Sequence, residues 1–402
     1  MSASWICAQL GAREHYAIPR ALDQSGQLNL LLTDAWASHG SLWGKLHPNL
    51  KGRHHTDLAD AKVIAWNASL LAFEIAARAR RLSGWSLIMA RNRWFQNRVA
   101  AALKSLPGSK SNSPVFFAYS YAALEPLRLA KKRGWQTVLG QIDPGPVEER
   151  LVEKLNRRSS WAKSNWEPAP KEYWKLWREE CALADHIVVN SEWSRAALEE
   201  EGIAKEKITI VPLAYDRPVV SSEPMRSYPE NFTKENPLRV LFLGQVILRK
   251  GVEEILNAVR QLEGSPIEFT IAGPVQLDLP ADLRNHPHIH WAGPVSRYET
   301  ADYYRNAHVF LFPTFSDGFG LTQLEAQAWK LPIIVSRSCG AVVEHGRNGW
   351  LLPEVSAEAI AQRLLECLRH PEKLAQASHA SGLAPGHTLS AVGAALTQLV
   401  ST

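Results

Sequence analysis

Two carboxylates and two cations stand out in the second half of the chain. Asp317 and Glu325 lie eight residues apart in LFPTFSDGFGLTQLEAQAWKLPIIVS (311–336), where an apolar run stops, two glycines flank a phenylalanine and an amphipathic segment begins. Arg249 and Lys250 sit in LFLGQVILRKGVEEIL (241–256), between a strand-like run ending at Gly244 and a helical pattern starting near Gly251. Cations beside a helix amino terminus suit phosphate, because exposed backbone N–H groups and the helix dipole add to their charge. Gly318 and Gly320 permit close approach of backbone to a ligand, and a helix beginning near Thr322 offers a second set of free N–H groups. Were the whole span helical, the acids would stand about 12 Å apart. A retaining glycosidase pair needs a gap of about 5 Å. The spacing fits instead two acids gripping the hydroxyl-bearing ends of one extended ligand, with phosphate between them. A nucleotide sugar has that shape.

Each residue also has an ordinary reading. TQLE (322–325) matches the Ser/Thr-x-x-Glu capping box, which would make Glu325 a helix cap. Asp317 in SDG is good turn chemistry, and Arg249 and Lys250 could be solvated loop residues. Pattern alone leaves both readings open.

The elements that must position these groups alternate twice along the chain. LNLLLTD (28–34), PVFFAYS (114–120), WQTVLGQID (135–143) and HIVVNS (186–191) read as buried strands in the first half, with helical stretches such as AALEPLRLAKKRG (122–134) between them. LRVLFLG (238–244), IEFTIAG (267–273), IHWAG (289–293), HVFLFPT (308–314) and LPIIVS (331–336) repeat the theme, interleaved with helical segments at 250–264, 296–307 and 322–331. Strand–helix alternation predicts an α/β protein with parallel sheets covered on both faces. The polar, Pro- and Ser-rich stretch 215–237 reads as an inter-domain connection. Two doubly wound units are therefore expected: residues 1–217, residues 218–386, and a terminal amphipathic helix in 387–402 that packs back on the first unit. Ligands bind outside the carboxyl ends of such strands, so two facing sheets make a cleft for two substrates.

Composition narrows the class. At 402 residues, 46% hydrophobic and 21% charged, the chain is that of a folded globular protein with more than one core. No window of about 18 apolar residues predicts a membrane span, and the first twenty residues do not read as a signal peptide. Four scattered cysteines (Cys7, Cys181, Cys339, Cys367) fit free thiols in a reducing, cytoplasmic setting, with no metal-ligand spacing. Charge is uneven: residues 51–133 carry fifteen Lys or Arg against four Asp or Glu. Within it, AARARRLSGWSLIMARNRWFQNRVAAALKSL (76–106) mixes Arg, Trp and aliphatics, a combination that can rest on an anionic membrane surface. A solvated basic face over core aromatics is the plainer reading, and no motif supports nucleic-acid binding.

At these residues the sequence resembles family 4 of the retaining, nucleotide-sugar-dependent glycosyltransferases, whose fold is GT-B: two Rossmann-like domains across a cleft. The resemblance runs from about 184 to 355 and is carried by ADHIVVNSEWSRAALEEEGIAKEKITIVPLAYD, LGQVILRKGVEEIL, WAGPVSRYETADYYRNAHVFLFPT, SDGFGLTQLEAQAWKLPIIVS and VVEHGRNGWLLP, in the family's order. The family's Glu-x7-Glu signature stands here as Asp317-x7-Glu325. GAREHYAIPRAL (11–22) resembles the glycine loop of the acceptor domain that faces the donor. The resemblance implies that Asp317 holds donor-sugar hydroxyls and Glu325 the ribose. It implies N–H groups of Gly318, Phe319 and Gly320 toward the sugar, and Leu321 and Thr322 toward the diphosphate. Lys250 would neutralise the leaving diphosphate, Pro274 and Val295 would border the base, and Gly11 would let the first loop approach the phosphates. Three departures matter. The family's Gly-Arg reads Gly244-Gln245, leaving Arg249 as the candidate second cation. Asp317 is shorter than Glu. Where many relatives have a histidine near the donor sugar, VLGQIDPGP (138–146) offers Gln141 or Asp143.

The implied reaction moves a sugar from a nucleoside diphosphate to an acceptor hydroxyl with retention, without a metal or other cofactor. The acceptor would be a glycan, a lipid-linked glycan or a small molecule. Two other readings compete: a non-catalytic nucleotide-sugar binder on the same fold, and a nucleotide-sugar epimerase, for which no acid/base set is evident. A dinucleotide-dependent dehydrogenase lacks its G-x-G-x-x-G.

Overall fold

The computed structural model describes residues 3–38, 52–107, 113–163, 166–216, 226–296 and 299–401. Its first half builds a seven-stranded sheet from β1 (Trp5–Gln9), β2 (Leu28–Thr33), β3 (Val63–Ala65), β4 (Val115–Tyr119), β5 (Gln136–Gly140), β6 (His186–Val189) and β7 (Ile208–Ile210). The order is β3-β2-β1-β4-β5-β6-β7, all parallel. The second half builds a parallel sheet from β8 (Leu238–Leu243), β9 (Ile267–Ala272), β10 (Ile289–Gly293), β11 (Val309–Phe312), β12 (Ile333–Val335) and β13 (Gly349–Leu351), in the order β10-β9-β8-β11-β12-β13. Central strands such as VFFAY (115–119) are buried at every position because helices cover both faces, which is why their sequences run apolar without alternation.

The covering helices show the complementary pattern. In Val252–Gln261 the buried Val252, Ile255, Leu256 and Val259 recur at three and four residues and pack against Ala357–Arg369. The order in which strands are added reverses between β1 and β4 in the first sheet, and between β8 and β11 in the second. These are the topological switch points where doubly wound sheets open a crevice.

Some segments differ from the sequence expectation. The strand read over 135–143 ends at Gly140, because Asp143 turns the chain by accepting the Gly145 amide. The basic segment 76–106 forms parts of two helices, Asn67–Ala79 and Gly84–Ser105, tied by Arg91 to Glu74. Strand β1, only five residues long, has no counterpart in the sequence reading. The junction between residues 217 and 218 lies outside the described residues. Beyond it, Phe232 and Tyr228 pack into the second unit, where the Arg226 guanidinium caps the carbonyls of Tyr304, Ala307 and Trp329. The helix Leu389–Leu399 packs on Ala17–Gln24 of the first unit. Leu155 and Trp161 also cross over, inserting from the first half of the chain into the core of the second unit.

Candidate active site

The second switch point brings Lys250 and Asp317 together. Lys250 ends the short turn Leu248–Lys250 after β8, and Asp317 lies in the loop after β11. The Lys250 ammonium contacts Asp317 Oδ2 and sits 4.8 Å above the Phe312 ring. Both side chains are largely buried, 13% and 16% exposed. Burial pulls the Lys250 ammonium below its ordinary range; Arg249 adds to that and Glu148 opposes it. Asp317 in contact supplies the counter-charge that favours its remaining an ammonium. The turn is fixed by Gly251 at φ 70, where a Cβ would stand 2.0 Å from the Pro313 carbonyl oxygen, so only glycine lets the turn close on β11's exit.

Asp317 is committed on both oxygens. Oδ1 accepts the Phe319 amide at 3.2 Å while Oδ2 meets Lys250. The Phe319 N–H is thus used to hold the acid rather than left for a sugar. Phe319 itself is a packed residue, its ring against Gly340 and His387 and its carbonyl accepting from Gln323 and Gly340. The next helix, Leu321–Ala328, starts one residue earlier than expected, with Gly320 at φ 85 as its N-cap and no side chain capping it. Glu325 therefore does not occupy the third helical position, and the capping-box reading of TQLE fails. Its Oε2 instead accepts the Tyr304 hydroxyl at 2.8 Å. Leu321 and Thr322, in the first turn, are half-buried, and this amino terminus follows the Asp317 loop in the chain.

Arg249 is oriented elsewhere. Its Nη1 donates to the Ser316 carbonyl at 2.6 Å and to Glu148 Oε2 at 3.3 Å, while Ser316 Oγ donates to the same Glu148 oxygen at 2.7 Å. Glu148 belongs to the helix Pro146–Arg158 of the amino-terminal half. Arg249 thus joins the two units. Ser191 Oγ donates to the Gly318 carbonyl at 2.7 Å, and Trp193 Nε1 to Ser316 Oγ at 3.0 Å, extending the same junction. A Cβ at Gly318 would lie 2.2 Å from the Ile142 carbonyl oxygen and 3.4 Å from the Asp143 Cα, so the donor-side loop abuts the exit of β5.

That contact separates Gln141 from Asp143. Gln141 is 1% exposed and spent on structure: its Oε1 accepts from Trp177, and its Nε2 donates to Tyr121 and to Asp143. Asp143 is half-buried at the junction, held by the Tyr121 hydroxyl at 2.5 Å. Of the two, it is the one whose backbone meets the Gly318 loop. The Gly11 amide donates to Asp34 at 3.0 Å, with Arg53 against its α-carbon face, and Glu14, His15 and Tyr16 follow in the left-handed region. Three consecutive non-glycine residues there store strain of the kind found beside functional sites. Gln245, Pro274 and Val295 line the outer side, Gln245 and Pro274 exposed and Val295 half-buried, beside Val275 at 40% exposure. Sequence reasoning missed the Glu148, Ser191 and Trp193 contributions, which are contacts between segments far apart in the chain. Among the described residues, no group of three or more His, Cys, Asp or Glu could hold a metal.

Residues 237–370 match the family model described as glycosyl transferases group 1. The carboxy-terminal unit is a group 1 glycosyltransferase domain. It resembles the capsular polysaccharide biosynthesis glycosyltransferase CapM of Staphylococcus aureus, 26% identical over 31% of this chain and 34% of that protein. It also resembles the putative colanic acid biosynthesis glycosyltransferase WcaL of Escherichia coli (strain K12), 25% identical over 48% of this chain and 49% of that one. The chain spans between a third and a half of the curated relatives it matches first. Over its full length the fold is that of Anabaena Alr3699/HepE, solved with UDP and glucose (TM-score 0.62, 13% identity, all of both chains). It is likewise that of the sucrose-phosphate synthase of Thermosynechococcus elongatus (TM-score 0.60, 16% identity, 99% and 98% of the chains). The group 1 domain and the sheet before it thus form a GT-B fold.

Proposed function

We propose that the protein transfers a sugar from a nucleoside-diphosphate sugar to an acceptor hydroxyl, with retention of anomeric configuration and without a metal. In this reading residues 1–217 receive the acceptor, residues 218–386 hold the donor, and the helix within 387–402 braces the first unit. The observation that carries it is the Lys250–Asp317 ion pair at the switch point beside the start of Leu321–Ala328. An incoming diphosphate takes Lys250 from Asp317, and the released carboxylate accepts sugar hydroxyls. As the glycosidic bond breaks, negative charge grows on the diphosphate and is stabilised by Lys250 and the helix amino terminus. Glu325 holds the ribose, and the departing phosphate takes the acceptor's proton on the same face. The relatives named for capsular polysaccharide and colanic acid synthesis, and the neighbour solved with UDP and glucose, favour a UDP-sugar donor and a surface-glycan product.

The experiment is donor turnover with and without acceptor. Slow hydrolysis of a nucleotide sugar, unaffected by EDTA, is expected, and its complete absence across UDP, GDP, ADP and TDP sugars would favour a non-catalytic binder. Glu325→Ala is expected to lower turnover about a hundredfold, roughly 2.7 kcal/mol of barrier. A near wild-type rate in that variant, once shown to be folded, would remove Glu325 from the donor site.

An anionic membrane surface is the partner that the helical hairpin fits. Leu71, Ile75 and Ile88 are 40%, 59% and 39% exposed, with Arg78, Arg80 and Arg81 exposed beside them. Apolar side chains enter the acyl boundary while arginines meet lipid phosphate, which would hold the enzyme on the inner face of the cytoplasmic membrane. Among the described residues no helix is long and apolar enough to cross a membrane. Salt-sensitive co-flotation with phosphatidylglycerol-containing liposomes is expected, weakened by Ile75→Asp; no flotation in low salt would end the idea.

A further inference from the structure

Tyr304 sets a hydroxyl against Glu325, the carboxylate to which the ribose is assigned above. It lies in the helix Thr300–Asn306, between β10 and β11, and is 0% exposed. Its ring belongs to an apolar cluster with Leu241, Phe310, Phe312 and Leu324, and its centroid is 5.8 Å from that of Phe310. Phenylalanine would fill that space without taking a hydroxyl out of water. The Thr322 carbonyl stands 3.4 Å from the hydroxyl and Glu325 Oε2 2.8 Å, so its single proton goes to the carboxylate. Burial, and then the charge of Glu325, raise the Tyr304 phenol well above its ordinary value, which keeps it a donor at neutral pH.

Glu325 itself is half-buried, so part of it meets solvent while Tyr304 grips it from the core side. A glutamate has three torsions to freeze, and freezing them on ligand binding costs side-chain entropy. A hydrogen bond to the charged carboxylate restricts those torsions before a nucleotide arrives, and leaves other lone pairs of the carboxylate for ligand hydroxyls. The helices that carry the two residues are also fixed to each other at their carboxyl ends. The Arg226 guanidinium donates to the Tyr304 and Ala307 carbonyls at the end of one and to the Trp329 carbonyl after the other. Arg305 adds a second tie, its guanidinium 4.6 Å above the Trp329 ring. Hydroxyl and carboxylate thus share a frame that a ligand need not assemble.

We propose that Tyr304 is a positioning residue for the donor's ribose: by holding Glu325 Oε2 it aligns the carboxylate with the ribose hydroxyls and sets the preference for a nucleotide that has them. The inference rests on the transferase reading above and on its assignment of the ribose to Glu325. Fully buried, Tyr304 touches no nucleotide and acts only through Glu325.

Calorimetric titration of UDP, GDP, ADP and TDP, each beside its 2′,3′-dideoxy analogue, tests this in the wild type, Tyr304→Phe, Glu325→Ala and the double variant. In the wild type the nucleotide that binds is expected to exceed its dideoxy analogue about tenfold in affinity. Tyr304→Phe should weaken that nucleotide about fivefold and leave the dideoxy analogue unchanged, so that the preference falls to about twofold. Unchanged binding of the analogue also reports that the variant is folded. In the Glu325→Ala background the same substitution should have no further effect, since the residue it acts through is gone. Equal weakening of both ligands by Tyr304→Phe, an undiminished preference, or an additive loss in the double variant would each overturn the proposal. Failure of the underlying reading shows separately in the wild type and takes the proposal with it: no nucleotide binds, or a nucleotide and its dideoxy analogue bind alike.

Discussion

Replacing Lys250 by alanine is expected to reduce turnover at least a hundredfold while leaving the fold intact. The ammonium lies where the diphosphate would lie, between β8 and β11, and its neighbour cannot substitute for it. Arg249 is drawn toward Glu148 and the Ser316 carbonyl, and Gln245, in the place of the family's arginine, carries no charge. A preorganised cation acting on charge that develops in the transition state contributes about 2.7 kcal/mol or more in a water-poor site. The loss should fall mainly on kcat, because the helix amino terminus and Glu325 still hold the ground-state donor. Removing Lys250 also leaves Asp317 with only the Phe319 amide, so a modest drop in thermal stability is expected alongside. Steady-state kinetics with circular dichroism on the same sample check this. A folded variant with kcat within a few-fold of wild type would mean that the leaving group is stabilised by something else.

A single methyl at Gly318 is expected to have an effect of similar size for a different reason. An alanine Cβ there would sit 2.2 Å from the Ile142 carbonyl oxygen, and the obstacle is backbone rather than a flexible side chain. Either the Asp317 loop retreats or the two units separate, breaking the Ser191 and Trp193 bonds to this loop. A displacement of about 1 Å between reacting groups can cost about a hundredfold in rate. Gly318→Ala should therefore lower kcat/KM by about that factor while nucleotide binding to the second unit changes little. If turnover is retained, closure over the Gly318–Ile142 contact is not required for reaction.

The sequence revealed the fold's framework because parallel strands buried on both faces run apolar for several residues, as in LRVLFL and VFFAY, and covering helices repeat every three to four. It concealed what depends on contacts between distant segments. WICAQ (5–9) is a central strand, but at five residues with a polar end it is too short for periodicity to mark it. Arg249 and Lys250 are equivalent in sequence, and only the approach of Glu148, 101 positions earlier, turns one to the unit junction and leaves the other in the crevice. Glu325 met the capping-box pattern, yet Gly320 at positive φ is the N-cap in place of Thr322 and shifts the register by two. Gln141 and Asp143 could not be told apart until burial assigned the amide to a hydrogen-bonded brace.

The central claim is that a nucleoside-diphosphate sugar lies across Lys250, the Leu321 helix start and Glu325. Calorimetric titration of UDP-glucose and its GDP, ADP and TDP counterparts into the wild type, Lys250→Ala and Glu325→Ala tests it most directly. One nucleotide should bind with a single site per chain, weakened tenfold or more by Glu325→Ala and only a few-fold by Lys250→Ala. Saturable binding unchanged in both variants, or none for any nucleotide sugar, would contradict the account.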